Sequence, residues 1–205
     1  MAAESPTLSS KGRQTRAAIE LAARKLFAER GFHGTTLADI TSAAGKSPAV
    51  FYRYFGDKED LLAALAESFL RDVVAPASAN VSMPASAEDS DFFTSVVSGY
   101  WNMFKQNIGI MIAVAQLAAS QQRFADVQNE FRRFGMDIVA TSVRRAQEQG
   151  FGADLHPQHT AAAIALLFEN FTVVVAGSSG LGLQVSDAEA IATLSTIWKK
   201  TLYGF

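Results

Sequence analysis

At 205 residues the chain has room for one or two domains, and 49% hydrophobic with 19% charged residues is a globular balance. The absence of cysteine excludes a disulfide scaffold, a cysteine-bound metal and a thiol nucleophile, and with no apolar run long enough for a signal or a membrane span the expectation is a cytoplasmic protein that does not engage a membrane. The net charge of −2 is unevenly spread: residues 1–58 hold nine Lys/Arg against five Asp/Glu and the rest nine against fifteen, so a basic head on an acidic body suggests a polyanionic partner.

Residues 1–10 read as a flexible arm. The spacing of Ile19, Ala22, Ala23, Leu26 and Phe27 predicts a helix over 11–30 with one apolar stripe, closed by Gly31, after which Phe32 folds back onto Phe27. Thr36 followed by Asp39 opens a short helix to 44 as a capping-box variant, and it stops at Gly45. Ser47-Pro48 starts a third short helix to 54, where proline at the first helical position loses nothing by lacking its N–H. Asp57 caps a longer helix carrying Leu61, Leu62, Leu65, Phe69 and Val73. The Ser/Ala/Pro-rich stretch 76–91 is loop composition. Helices are then predicted over 92–106, 108–120, about 124–149 and 157–176, and the last one is opened by the capping box Ser186-x-x-Glu189. The fold class is all-α, about nine helices, with residues 11–57 as a head and 58–205 as a larger helical trunk.

Two short helices joined by a turn at Gly45 and braced by a longer one form a helix-turn-helix. Short elements and a tight turn are what lets one helix cross a DNA backbone while the next enters a groove ~12 Å wide. The segment 35–62, TTLADITSAAGKSPAVFYRYFGDKEDLL, with the upstream Arg16, Ala22, Leu26, Phe27, Gly31 and Phe32, resembles the N-terminal signature of TetR-type transcriptional regulators. The match covers about a quarter of the chain. It implies a homodimeric repressor whose heads bind a palindromic double-stranded operator and whose trunk holds a small-molecule effector. By that resemblance Thr36, Tyr52, Tyr54 and Lys58 contact phosphates, while Pro48, Ala49 and Arg53 face base edges. Lys46 and Ser47, leading into the third helix, join them as candidate DNA contacts. Arg53 is independently the one side chain of this set able to fork onto guanine O6 and N7. Lys46 departs from the small aliphatic usual after the turn glycine, and Ala38 from a frequent arginine, which leaves the operator sequence open.

Other constellations carry less. Gly177-Ser-Ser-Gly180-Leu-Gly182 has the wrong glycine order for a nucleotide loop and reads as a connector. His156 and His159 near Asp154 read as a cap and turn rather than a metal site, and neither metal nor cofactor is expected. No acid/base dyad or nucleophile triad is present, so no catalytic residue is assigned and enzymatic activity is not expected; a small all-α carrier or enzyme using the trunk is the alternative. In the trunk, Trp101, Phe104, Met111, Phe134, Phe168 and Phe171 (with Met103 and Phe131) are candidates to line an apolar cavity. Gln116 and Asn170, with Glu169, are candidate polar anchors because buried polar groups need partners. The apolar faces of the last two helices suit a four-helix dimer bundle.

Overall fold

The computed structural model describes residues 9–76, 83–84, 86–87, 89–177 and 182–204, so most of the N-terminal arm, half of the 76–91 loop and the centre of the glycine-rich connector lie outside the described residues. Among the described residues there are nine α-helices and no strand. They are α1 Ser10–Arg30, α2 Leu37–Ala43, α3 Pro48–Phe51, α4 Lys58–Phe69, α5 Ser90–Gln106, α6 Ile108–Ala118, α7 Gln122–Glu148, α8 Pro157–Ala176 and α9 Asp187–Tyr203.

Local chemistry explains the ends. The Gly31 N–H closes α1 onto the Phe27 carbonyl at 3.1 Å, with φ +73°, and the Phe27 and Phe32 rings meet at 5.3 Å. Its ψ of 166° turns the chain away in an extended direction, so the cap is not a full left-handed one. Thr36 and Asp39 exchange bonds as a capping box on α2, as do Ser186 and Glu189 on α9. Two features differ from expectation. The regular part of α3 ends at Phe51, and residues 52–54 continue as a turn in which the Arg53 and Tyr54 N–H groups reach back three residues, Tyr54 to Phe51 at 2.9 Å. Beyond Phe69, α4 widens into a single π-helical turn, Leu70–Val74, for which no sequence signal stood out.

Ile19, Phe27, Ile40, Phe51, Leu61 and Leu62 pack into one core that also takes in Ile110, Val114 and Leu117 of α6 and Phe124 of α7, so head and trunk share apolar interior. A second core joins α5, α7, α8 and α9 around Phe93, Trp101, Val143 and Trp198. Phe69, Val74, Phe104, Met111 and Phe131 bridge the two. Helix α8 is long and apolar enough by composition to cross a membrane. Here it sends Ala161, Ile164, Phe168 and Thr172 into the interior and holds an ion pair with α7, while Leu166 and Leu167 stay exposed. The β-branched run 172–175 stays helical because it completes that packing.

Candidate functional site

The helix-turn-helix is built from α2, the Ala44–Gly45–Lys46 turn and α3. Gly45 takes φ +62°, a conformation that costs a side-chain-bearing residue energy, and the Lys46 N–H returns to the Thr41 carbonyl at 2.9 Å. Ser47 caps α3 by accepting the Val50 N–H. Phe51 and Phe55 point into the core, with rings 5.5 Å apart, and thereby aim the opposite side of α3 outward. Ser47, Pro48, Ala49, Tyr52 and Arg53 are all exposed there, Tyr52 at 60%. Lys46 is half-buried, and Tyr54 is half-buried against the head core. Thr36 is exposed, and its hydroxyl both donates to the Asp39 carboxylate and accepts the Asp39 N–H. The hydroxyl and then the N–H of Thr36, both donating to its carboxylate, hold Asp39 below the usual carboxylate range, with Arg30 adding a weaker pull at 3.5 Å.

Lys58 has more partners than expected. Its ammonium donates to the carbonyls of Phe32 and Thr35, both at 2.7 Å, and lies 4.2 Å above the Phe32 ring. Two of its three hydrogens are thus committed to the α1–α2 loop, and one is left for an outside acceptor. Arg123 of α7 forks across Glu59 and Asp60 at 3.1 and 2.8 Å, and Arg24 of α1 reaches Asn107 at 3.1 Å.

The trunk encloses a cavity of about 620 Å³ between the π turn, α5, α7, α8 and α9. Phe134 and Phe168 line it, as do Met103 and Phe131. The other expected lining residues lie elsewhere. Trp101 and Phe104 are fully buried in the packed cores. Met111 borders a much smaller void beside Phe69, and Phe171 packs behind the cavity against Trp101. Gln116 and Asn170 are exposed, Asn170 donating back to the Leu166 carbonyl. Of the polar candidates only Glu169 reaches the cavity wall, where Arg132 grips it through two bonds of 2.6 and 2.9 Å and Gln128 adds a third at 2.8 Å.

Sequence reasoning missed Tyr100, Arg132, Asp89, Asp91 and the π-turn residues Val73 and Val74. The Tyr100 hydroxyl is buried beside Thr172 without closing a bond of good geometry, and burial, reinforced by Glu169, pushes its ionisation up. The mouth did leave a sequence trace. Asp91, Ser95 and Gly99 recur every four residues, all exposed, as a small polar row along otherwise aromatic α5.

Residues 19–65 match the family model of bacterial regulatory proteins, tetR family. The HTH-type transcriptional regulator EthR of Mycobacterium tuberculosis is 22% identical over 187 residues, spanning 91% of this chain and 86% of that protein. The HTH-type transcriptional repressor AcnR of Corynebacterium glutamicum is 48% identical over 44 residues, 22% of this chain and 23% of its own length. Among solved structures, the transcriptional regulator FadR of Bacillus subtilis in complex with stearoyl-CoA superposes with a TM-score of 0.66 at 18% identity, over 92% of this chain and 98% of that one, which is a likeness of fold.

Proposed function

We propose that the chain is a TetR-family transcriptional regulator that works by binding alone, as a cytoplasmic homodimeric repressor released from a palindromic operator by a small effector with a largely apolar body. The observation that carries this reading is one continuous element: α4 begins at Lys58, bonded to the α1–α2 loop of the head, and runs through Phe69 into the π turn, whose Val73 and Val74 form part of the cavity wall. An occupant that displaces those valines moves α4 along its axis, and with it the loop stapled by Lys58. A ligand preferring the displaced state lowers operator affinity by its differential binding energy.

In this reading the head of residues 11–57 uses Pro48, Ala49 and Arg53 on base edges, with Thr36, Lys46, Ser47, Tyr52, Tyr54 and Lys58 toward the backbone. The trunk, residues 58–205, supplies the second copy. Leu166 and Leu167 of α8 and Ile197 of α9 are 43%, 39% and 37% exposed, an apolar face that a two-fold partner would cover. One recognition helix buries too little for useful operator affinity, which favours two heads one helical turn apart, ~34–36 Å.

Selection of bound duplexes from a random library, followed by native mass spectrometry of the complex, tests this. Inverted half-sites one turn apart, with two chains per duplex, are expected. A monomeric complex or a sequence-independent pool would overturn it. The same spectrum of freshly purified protein reports any co-purified ligand.

A further inference from the structure

We propose that the trunk cavity selects an organic cation with an apolar body and rejects an anion of the same size; this rests on the reading of the cavity as the effector site. Three features of the wall carry the choice.

The first is its aromatic content. Phe92, Tyr100, Phe131, Phe134, Phe168 and Trp198 all line the cavity, and the negative faces of such rings attract a cation. The remaining wall is chiefly Val, Ile and Met, which suits an apolar body, and about 620 Å³ lies within the ~300–1,000 Å³ typical of small-molecule sites.

The second is the state of the arginine. Among the described residues of the wall Arg132 is the one cation, and both prongs of its fork are closed by Glu169. Its Nη1 turns to the Asn129 amide oxygen at 3.4 Å, so an incoming carboxylate or phosphate must displace the Glu169 side chain to take the Nε/Nη2 edge. That leaves Glu169, only 8% exposed, with Gln128 as its remaining partner. Leaving the buried Glu169 carboxylate without its cation is unfavourable, so that edge of the guanidinium is not offered to ligands.

The third is the balance of charge. Glu169 already offsets the Arg132 guanidinium, and Asp91 adds a carboxylate to the wall beyond that pair. Asp91 stands exposed in the row that forms the mouth, while Asp89 caps α5 by accepting the Phe92 N–H at 3.2 Å. The mouth therefore presents negative charge to anything entering, which attracts cations and slows anions.

Isothermal titration of the protein with three probes of equal chain length tests the proposal: decyltrimethylammonium and decanoate below their micelle concentrations, and 1-decanol below its solubility limit. The ammonium probe should bind tightest and decanoate at least about tenfold more weakly, the size of one charge-assisted contact. In E169Q the fork of Arg132 is released, so decanoate should gain about tenfold and the ammonium probe should lose ground. In R132M decanoate should gain nothing. Decanoate binding tightest to the unmodified protein, or an E169Q variant with an unchanged preference, overturns the proposal. Absence of binding by all three probes overturns instead the reading of the cavity as an effector site. Should E169Q fail to fold, the probe order on the unmodified protein and on R132M decides.

Discussion

Gly109, in the first turn of α6, sits directly on the backbone of Phe27 in α1: a Cβ at Gly109 would lie 2.6 Å from the Phe27 carbonyl carbon and 2.5 Å from the Ala28 nitrogen. Neither atom is the end of a flexible side chain, so the two helices touch only because residue 109 has no side chain. This contact and the Arg24–Asn107 bond are among the places where α1 of the head leans on the trunk, and the Arg123 fork ties the start of α4 to α7.

Gly109→Ala should therefore force α6 away from α1 and destabilise the protein by about 1–3 kcal/mol, the usual cost of overpacking. Gly99→Ala is the contrast, because its Cβ meets nothing within 4 Å and removal of a mid-helix glycine should stabilise by about 0.5–1 kcal/mol. Urea midpoints of the two variants check this. Equal shifts for both would remove the close approach as an explanation.

Lys58→Ala removes a structural bond and a possible DNA contact together, and two measurements separate them. Loss of the donor takes from the Thr35 carbonyl its side-chain partner and leaves the Phe32 carbonyl with the 3.3 Å bond from the Thr35 N–H, costing about 1–3 kcal/mol of stability. If the remaining hydrogen reaches a phosphate, the slope of log K against log salt falls by about 2 per dimer. A loss of stability with an unchanged slope would make Lys58 a loop staple only.

Arg53→Ala should act on specificity. Arg53 is exposed on the side of α3 opposite Phe51 and Phe55, so if it forks onto guanine its loss costs about 1–3 kcal/mol per half-site, on operators carrying that guanine alone. Fluorescence anisotropy on operator and scrambled duplexes at fixed salt reads the ratio. Equal losses on both would reduce Arg53 to a backbone contact.

The exposed caps predict an acid-side response. Asp39 and Glu189 are held below the usual carboxylate range chiefly by the hydroxyls, then the N–H groups, of Thr36 and Ser186. A depressed folded value means that the caps stabilise fully above the unfolded value and that this contribution is lost as pH falls through the folded one. Replacing both residues by their amides should flatten the decline of stability below about pH 4. A decline as steep as that of the unmodified protein would contradict this.

What the sequence determined by itself is local. Gly31, Thr36 with Asp39, Gly45, Ser47-Pro48 and Ser186 with Glu189 act within four residues of their partners, so helix starts, stops and the outward face of α3 were legible. The end of α3 was less so, because a turn bonded three residues back and one bonded four back share the same side-chain pattern. The trunk divides differently. A helical stripe says which face turns inward but not what fills the space it meets. Trp101 and Phe104 met other side chains, whereas Tyr100, Phe134 and Phe168 met a cavity. That outcome depends on how five elements distant in sequence pack together. Lys58 finds its carbonyls 23 and 26 residues upstream, and Arg132 finds Glu169 37 residues downstream. No short-range pattern encodes such partners, because they are brought together only when the helices bury their shared apolar faces.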